Sequence, residues 1–389
     1  MYTKGVCPIQ VNGRDYAAPR RPVVVVCLDG SSVEYIGAAV AAGAAPFFAS
    51  LLSARTLRLA RAAVPTFTNP NNASIVTGVP PSVHGIIGNF FLDRETGRAV
   101  MMNDASFLRA PTILSAWARA GSNVAALVAK DKLRRLLFDA ADGDYASAEQ
   151  DGVPVYSADL SEHVLRRGVE LMRRRRPDVM YLSTSDFVQH AHAPGSDAAN
   201  VFYRAIDEQL ATLDGFDVSM VITADHGMNA KTDAAGTARI VFLQELCDDW
   251  SGPGAATVIL PITDPYVGHH GSLGSFAWIY ASADDARRTV MRRLLEVDGI
   301  AAAFDRDEAC RRFELPRDRA GDVAVIADER YVIGTRRADH DLSALHGPLR
   351  SHGGLAEQTV PLLFNRPPRR EPPNPLRNYD AFWVAFNAL

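Results

Sequence analysis

The sequence has 389 residues, of which 47% are hydrophobic and 22% charged, and its formal net charge is −4. This is the composition of an ordinary globular protein, and it excludes a disordered or fibrous chain. No apolar run is long enough to span a bilayer, and the basic stretch Arg173–Arg176 is too short to indicate a nucleic-acid-binding surface.

Strands and helices alternate along the first two thirds of the sequence. The first predicted strand, Val23–Leu28, is a continuous and largely β-branched run, as expected for a strand buried on both faces of a parallel sheet. The further predicted elements, in chain order, are a helix at Ala45–Leu52, a strand at Leu57–Ala63, a short helix at Ser74–Thr77, a helix at Ala110–Ala120, a strand at Ser122–Val128, a helix at Ser161–Arg175, a strand at Val179–Ser183, a helix at Asp197–Leu213 and a strand at Val218–Thr223. This alternation predicts an α/β fold with a mostly parallel central sheet and helices on both faces.

The pattern changes between residues 254 and 349, which we interpret as a small inserted α+β cap domain. Its predicted elements are strands at Thr257–Leu260, Gly274–Tyr280 and Val323–Ile326 and helices at Ser282–Glu296 and Arg306–Arg312. The catalytic core then comprises residues 1–253 and 350–389. The run Thr359–Phe364 returns to the main sheet, and Pro361 within it predicts an edge position or a shortened strand.

Acidic and histidine residues follow the predicted strands. Asp29, Asp186 and Asp225 all fall at the carboxyl ends of strands, where ligands collect in α/β sheets. A single aspartate after a strand is usually a helix cap, and Asp186-x-x-x-His190 or Asp225-His226-Gly227 alone is a weak to moderate signal. Their common placement favours a metal site.

The count of candidate ligands fits two metal ions. The candidates are carboxylates and imidazoles, the groups that Zn²⁺ binds. They are Asp29, Asp186, His190, Asp225, His226 and His352. Two catalytic zinc sites, each with about three protein ligands and an open position, need about six such residues.

Thr68 is the candidate nucleophile. It lies in the segment 64–72, between the second strand and the helix that contains Ser74–Thr77. A hydroxyl at this position feels the positive end of a helix dipole, and a zinc ion would lower its pKa further. Without the metals, Thr66 or Thr68 would be explained as an ordinary helix cap.

Together these motifs resemble the alkaline phosphatase superfamily, in its nucleotide pyrophosphatase/phosphodiesterase-like branch. The motifs run in the family's order between residues 23 and 365. They are strand-end Asp29, Pro65-Thr66-Phe67-Thr68-Asn69-Pro70, His84-Gly85-Ile86-Ile87-Gly88-Asn89, Asp186-x-x-x-His190, Asp225-His226-Gly227 and Ser351-His352-Gly353. The resemblance implies an alkaline-phosphatase-like sandwich fold.

The resemblance also implies roles for individual residues. One Zn²⁺ would be held by Asp186, His190 and His352. A second Zn²⁺ of the same chain would be held by Asp29, Thr68, Asp225 and His226. Asn89 matches the asparagine with which the family donates a hydrogen bond to a phosphoryl oxygen, although a buried amide that binds the local turn would explain it equally well.

Lys130 and Lys132 reduce the number of substrate classes to consider. Two lysines two residues apart after a strand would suit a substrate with a second anionic group beside the phosphoryl group, although a solvated pair at a helix start is the plainer explanation. The segment around them, with the segment that begins at Asp186, resembles the phosphonoacetate hydrolase family, in which the lysine pair binds substrate. This resemblance implies hydrolysis of the carbon–phosphorus bond of a small-molecule phosphonate through a phosphothreonine at Thr68.

Other interpretations remain open. A phosphodiesterase or nucleotide pyrophosphatase would keep the same ligands and Thr68, and a non-catalytic metal-binding protein would use the same fold. The metal in the cell, the oligomeric state (with a homodimer as one option) and the roles of His192, His269 and His270 stay undecided. The amino-terminal residues lack the apolar segment of a signal peptide, and the four cysteines fit no zinc-ribbon spacing, so we expect a cytoplasmic protein without membrane or nucleic-acid partners.

Overall fold

The structure is a computed structural model, and it describes residues 7–138, 143–263, 271–343 and 347–389. The strands, in chain order, are β1 (Ile9–Val11), β2 (Arg14–Tyr16), β3 (Val23–Cys27), β4 (Leu57–Arg61), β5 (Phe90–Asp93), β6 (Arg98–Met101), β7 (Val124–Val128), β8 (Asp144–Ser147), β9 (Val179–Ser183), β10 (Ser219–Thr223), β11 (Asn229–Ala230), β12 (Ile240–Phe242), β13 (Ala256–Ile259), β14 (Phe276–Ala281), β15 (Ile300–Asp305), β16 (Val323–Ala327), β17 (Val332–Gly334), β18 (Arg350–Ser351) and β19 (Thr359–Phe364). The helices are α1 (Val33–Ala41), α2 (Pro46–Ser53), α3 (Thr68–Thr77), α4 (Pro81–His84), α5 (Ile113–Arg119), α6 (Asp131–Phe138), α7 (Asp159–Arg174), α8 (Phe187–Ala191), α9 (Asp197–Asp214), α10 (Leu243–Ser251), α11 (Asp284–Leu294), α12 (Arg306–Phe313) and α13 (Ala381–Asn387). His269 and His270 lie outside the described residues.

A seven-stranded mixed sheet, in the order β4-β19-β10-β3-β9-β7-β8, forms the centre of the molecule. The strands from β10 to β8 pair in parallel, whereas β19 is antiparallel to both of its neighbours. Every residue of β3 is buried, because helices cover both faces of the sheet. Val23, Val25 and Cys27 pack into one core, and Val24 and Val26 pack into the other. The predicted α/β architecture with a mostly parallel sheet is confirmed.

A second, antiparallel sheet follows in the chain. Its four strands have the order β13-β14-β16-β15 and come entirely from residues between 256 and 327. Helices α11 and α12 pack on it through Val290, Leu294 and Ala309. The strand β15 is absent from the predicted elements, because its alanine-rich sequence carries little β-propensity and only packing against β16 makes it a strand.

The carboxyl ends of three parallel strands meet at one edge of the central sheet. The strand β3 lies between β10 and β9, and its last residue, Cys27, is in register with Thr223 and Ser183. The segments that leave these strands therefore begin side by side. The carboxylates that they carry are Asp29, Asp186 and Asp225.

The expectation for Pro361 is wrong. The strand β19 keeps its full predicted length and lies inside the sheet, between β4 and β10. Proline is tolerated because the ladder with β10 begins only at Leu362, so Pro361 has no backbone donor to supply there. Its carbonyl oxygen instead accepts a hydrogen bond of 2.9 Å from the Thr223 hydroxyl.

The helix after the second central-sheet strand is longer than predicted. It begins at Thr68 rather than Ser74 and ends where Gly78 adopts a left-handed conformation with φ of 71°. Pro70 lies in its first turn, where a missing N–H costs no intrahelical bond. Because Thr68 is the first helical residue, its hydroxyl lies at the positive end of the helix.

Among the residues that the structure describes, no single helix has the length and apolar composition needed to cross a membrane. The helices α1 and α2 meet that criterion only when they are taken together, and the chain bends by 110° between them.

His84 is a buried neutral imidazole in the motif that leads to Asn89. Its Nδ1 accepts a hydrogen bond from the Ile86 N–H (3.1 Å), so Nε2 carries the proton and donates to the Ser74 hydroxyl at 2.8 Å. Burial, aided by the Arg319 guanidinium, lowers the pKa of His84 to about 3.

This histidine is expected to make the fold less stable in mild acid. The unfolded chain binds a proton at His84 below its ordinary pKa of 6.5, while the folded chain does not until about pH 3. The free energy of unfolding should therefore fall, by about 1.4 kcal/mol per pH unit from this group, as the pH drops through that window. The measurement is urea unfolding at several pH values for the parent and His84→Gln, which keeps a donor and an acceptor but does not titrate. Equal slopes in the two proteins would contradict the assignment.

Candidate active site

Three buried carboxylates lie together at the edge of the central sheet. Asp29, Asp186 and Asp225 are 1%, 4% and 0% exposed. Their loops approach closely at Gly30, where φ is +67° and an added Cβ would lie 2.9 Å from the Asp186 Cβ. Glycine at position 30 therefore allows both the left-handed turn and the close contact between the Asp29 and Asp186 loops.

Three histidines converge on these carboxylates in one tautomeric state. Each Nδ1 lies against a backbone carbonyl oxygen, which can only accept a hydrogen bond, so Nδ1 carries the proton and Nε2 is left as the ligand atom. The three bonds are His190 to Arg350 O (2.8 Å), His226 to Gly227 O (3.0 Å) and His352 to Thr66 O (2.8 Å).

The Nε2 atoms point at carboxylate oxygens. The distances are 2.9 Å from His190 Nε2 to Asp186 Oδ2, 3.6 Å from His352 Nε2 to the same oxygen, and 3.3 Å from His226 Nε2 to Asp29 Oδ1. In the described part of the chain, His226 Nε2 and Asp29 Oδ1 are buried without a hydrogen-bond partner. Lone pairs that face one another in this way require a cation between them.

The pKa shifts of the carboxylates also indicate that this cluster needs a bound cation. Burial, with the carboxylates of Asp186 and Asp225, raises the pKa of Asp29 well above its usual range. Burial raises the pKa of Asp225 to about 7, and Asp186 adds to the rise. Burial also disfavours ionisation of Asp186, but the neighbouring His190 and Lys130 outweigh it and hold the Asp186 pKa well below normal. Asp29 and Asp225 can therefore be fully ionised at neutral pH only if bound cations compensate their charge.

Two groups of potential ligand atoms share Asp186. Within each group the atoms lie within 4.8 Å of one another, and the groups are Asp186–His190–His352 and Asp29–Asp186–His226. The first set is the one that the family resemblance implies for one zinc. In the second set Asp186 stands where the resemblance implies Asp225. Asp225 remains within reach, since its Oδ2 is 3.6 Å from His226 Nε2, while its Oδ1 accepts the Gly30 and His226 N–H groups.

Thr68 lies at the mouth of this cluster. It is the first residue of α3 and is half-buried, whereas the other residues of α3 are buried. Its carbonyl oxygen accepts a hydrogen bond from Asn72 Nδ2 at 3.0 Å, and the same nitrogen is 3.3 Å from Asp225 Oδ2. Asn72 Oδ1 in turn accepts hydrogen bonds from Tyr181 and Ser183 on β9.

Asn72 is a contact residue that the sequence does not identify. Three asparagines follow one another closely in α3, and their poor helix propensity is the available signal, because such residues persist in a buried helix when their amides bind neighbouring groups. Thr66 is a second case. Its hydroxyl donates to Gly354 O at 2.9 Å and accepts from Gly353 N at 3.0 Å, which joins the segment before Thr68 to the loop after His352.

Asn89 faces the same cavity as Thr68. Its Oδ1 accepts the backbone N–H of Asn69 at 3.3 Å, so the amide is oriented with its NH₂ group away from α3. Its own N–H donates to Pro261 O at 2.8 Å, which ties it to the end of β13. The carbonyl oxygen of the Asn89 side chain thus makes the local contact expected of a buried amide, while the donor role of its NH₂ group stays a prediction.

The cavity itself is small, and most of the residues that line it are polar. Its volume is about 30 Å³. Its described lining comprises the carboxylates, hydroxyls, amides and lysines named above with three apolar residues, namely Asp29, Thr68, Asn69, Asn89, Ala129, Lys130, Lys132, Leu133, Thr184, Asp186, Ile262 and His352. Lys130 Nζ lies 3.9 Å from Asp186 Oδ1. Burial and the Lys130 ammonium lower the pKa of Lys132 to about 7.

His192 is half-buried, and its carbonyl oxygen accepts a hydrogen bond of 2.6 Å from Tyr35.

Comparisons with family profiles and with solved structures agree on the family of this chain. The profile of the type I phosphodiesterase / nucleotide pyrophosphatase family matches residues 23–354. A phosphonoacetate hydrolase from Sinorhizobium meliloti 1021, solved in complex with phosphonoformate, is 48% identical, with 98% of each chain covered and a TM-score of 0.92. The same protein in complex with phosphonoacetate superposes with a TM-score of 0.90.

More distant similarities are found both in a solved structure and in sequence. Murine ectonucleotide pyrophosphatase / phosphodiesterase 5 is 20% identical over 94% of each chain, with a TM-score of 0.68. An uncharacterized pyrophosphatase/phosphodiesterase of Schizosaccharomyces pombe is 25% identical over 229 residues, which are 54% of this chain and 45% of that protein. The match thus spans about half the length of this curated relative.

Proposed function

Since the chain belongs to the phosphonoacetate hydrolases, within the type I phosphodiesterase / nucleotide pyrophosphatase family, we propose that it hydrolyses the carbon–phosphorus bond of phosphonoacetate to acetate and phosphate. The observation that carries the proposal is the joint lining of one small cavity. The residues of the proposed machinery that face the same space are Thr68, Asp29, Asp186, His352 and both lysines.

Two metal ions fit the residues present. We assign Asp186, His190 and His352 to one Zn²⁺, and Asp29, Thr68, Asp225 and His226 to the other; Asp186 is also close to Asp29 and His226 of the second set. The support is the three histidines whose Nδ1 atoms face carbonyl oxygens, together with the Asp29 and His226 atoms that are buried without a hydrogen-bond partner. Bound zinc would lower the pKa of the Thr68 hydroxyl and neutralise the charge on phosphoryl oxygens.

In the proposed reaction the Thr68 hydroxyl gives up its proton to water, and Thr68 Oγ attacks phosphorus in line with the carbon–phosphorus bond. The new oxygen–phosphorus bond gives a phosphothreonine, and the electron pair of the broken bond stays on the methylene carbon. That pair delocalises onto the adjacent carboxylate, where Lys130 and Lys132 stabilise the added negative charge. Asn89 donates its NH₂ to a phosphoryl oxygen. A proton from water converts the carbanion to acetate, and a water molecule then hydrolyses the phosphothreonine to phosphate and free Thr68.

We propose that residues 254–349 act as a cap over this cavity. Pro261 and Ile262, at the start of that segment, contact Asn89 and line the cavity respectively. The cap would limit the cavity to small substrates. A nucleotide needs an aromatic platform for its base, and the described lining contains no Phe, Tyr or Trp. This disfavours the alternative of a phosphodiesterase or nucleotide pyrophosphatase.

The direct test is release of phosphate from phosphonoacetate, phosphonoformate and a nitrophenyl phosphodiester, before and after chelation. We expect phosphonoacetate to be the best substrate, with activity lost on chelation and restored by zinc. Phosphate release that is unchanged by the chelator, or a diester that reacts faster than phosphonoacetate, would refute the proposal.

The two lysines should control which substrate reacts. Lys130→Ala or Lys132→Ala is expected to lower kcat/KM for phosphonoacetate by about 10²–10³-fold, because each removes a cation placed at the developing charge. The aryl phosphodiester, whose leaving group carries no carboxylate, should lose far less. The measurement is kcat/KM for both substrates with each variant.

Arg135→Ala is the matched control for the lysine variants. Arg135 lies on the same helix, α6, but its side chain is half exposed and pairs with Asp131. It should leave both substrates unaffected. Equal losses on the two substrates in the lysine variants would remove the assigned role.

A further inference from the structure

An ion pair lies fully buried beside the candidate metal site. Lys231 Nζ is 2.8 Å from Glu357 Oε1, and both side chains are 0% exposed. Burying two charges costs free energy that their attraction offsets only in part, and apolar residues of the same size are often at least as stabilising. The stability of the core alone is therefore a poor explanation for this pair.

Glu357 holds three backbone or side-chain groups through different atoms. Its Oε2 accepts the Gly354 N–H at 3.0 Å, its Oε1 accepts Asn229 Nδ2 at 2.7 Å, and its carbonyl oxygen accepts the Gly227 N–H at 2.9 Å. Lys231 compensates the Glu357 charge, so that the carboxylate does not add to the nearby negative cluster.

Lys231 is itself fixed from two sides. Its ammonium donates to Glu329 O at 2.7 Å, and its backbone N–H donates to Leu349 O at 2.8 Å. The two-residue strands β11 and β18 pair beside it, with Asn229 opposite Ser351. The pair is thus part of a rigid junction between two loops.

Those two loops carry one histidine for each metal position. Gly227 directly follows His226, and Gly354 lies two residues after His352. The two imidazole rings stack face to face, with centroids 3.6 Å apart and an interplanar angle of 8°. Any movement of one loop against the other would change this spacing and with it the distance between the two Nε2 atoms.

We propose that Lys231 and Glu357 are positioning residues that set the spacing of His226 and His352 and thereby tune the affinity for both metal ions. Neither residue lines the cavity, so their effect on the reaction is indirect. The inference rests on the dinuclear site proposed above.

The test measures zinc affinity by competition with a chromophoric chelator, together with kcat and KM for phosphonoacetate. Glu357→Gln removes the charge and one of the two acceptor oxygens with little change in shape. We expect zinc affinity to fall 10–100-fold, as is typical when a group that orients metal ligands is lost. At saturating zinc, kcat should fall while KM changes little.

A double variant separates positioning from stability. Lys231→Met with Glu357→Leu removes both charges, so the metal-free protein should unfold at about the same denaturant concentration as the parent. Its zinc affinity should stay low, because the contact with the Gly354 N–H is lost. This variant also keeps the proposal testable if a single variant, which leaves one buried charge, does not fold.

Asp322→Asn serves as the control, since Asp322 directly precedes β16 of the second sheet and pairs with Arg94 (3.0 Å) and Arg306. It should change stability but not zinc affinity. Unchanged zinc affinity in Glu357→Gln, or full recovery of affinity in the double variant, would overturn the inference while leaving the proposed function intact. A parent protein that binds no zinc would overturn both.

Discussion

Thr68→Ala is expected to abolish release of phosphate from phosphonoacetate, with a loss of at least about 10³-fold in kcat, because the substitution removes the atom that attacks phosphorus. The fold should persist, since the Thr68 side chain is half-buried and the helix contacts around it run through its carbonyl oxygen and Asn72. The measurement is steady-state turnover, with acid quenching and mass spectrometry of the parent to detect a phosphoryl group on the peptide that contains Thr68.

Two further variants serve as comparisons for Thr68→Ala. Thr68→Ser keeps a hydroxyl and should retain measurable turnover. Thr66→Ala removes a hydroxyl two residues away that binds Gly353 and Gly354, so it should lower stability more than it lowers kcat at saturating zinc. Turnover by Thr68→Ala near the parent rate, or a phosphoryl group found on another residue, would show that Thr68 is not the nucleophile.

Asp186→Asn is expected to empty both metal positions. Asp186 is the one carboxylate common to the two groups of ligand atoms, and its oxygen lies against both His190 and His352. A neutral amide binds zinc much more weakly than a carboxylate. The zinc content per chain after desalting should fall from about two to near zero, with turnover lost.

Asp225→Asn is the matched comparison. Its amide oxygen can still accept the Gly30 and His226 N–H groups that Asp225 Oδ1 binds, so the local turn should persist. Only the second position should lose zinc. If Asp186→Asn kept a full equivalent of zinc, the shared role of Asp186 would be wrong.

The sequence is sufficient to predict the place of the site. Asp29, Asp186 and Asp225 each follow a buried strand, and parallel strands place their carboxyl ends together whatever the loops do. The same argument cannot fix which ligand faces which ion. In the structure Asp186 belongs to both groups, because the left-handed turn at Gly30 brings the Asp29 loop against it.

Other features depend on distant contacts that local patterns do not encode. The helix α3 begins at Thr68 because buried amides of Asn71 and Asn72 bind the flanking backbone and Asp225, which outweighs their weak helix propensity. The partners Lys231 and Glu357 are 126 residues apart, and nothing in either segment predicts that they meet. Pro361 is tolerated inside the sheet because the pairing of β19 with β10 begins only at Leu362. That starting point depends on strand register rather than on residue type.

The interior position of β19 has a consequence for biosynthesis. This strand, residues 359–364, fills the space between β4 and β10. A ribosome-bound chain that ends before residue 359 therefore leaves the facing edges of β4 and β10 unpaired. Such edges invite pairing with other chains. Since His352 also emerges late, the nascent polypeptide should need protection from aggregation until translation is nearly finished, and premature termination before residue 359 should yield insoluble rather than partly active product.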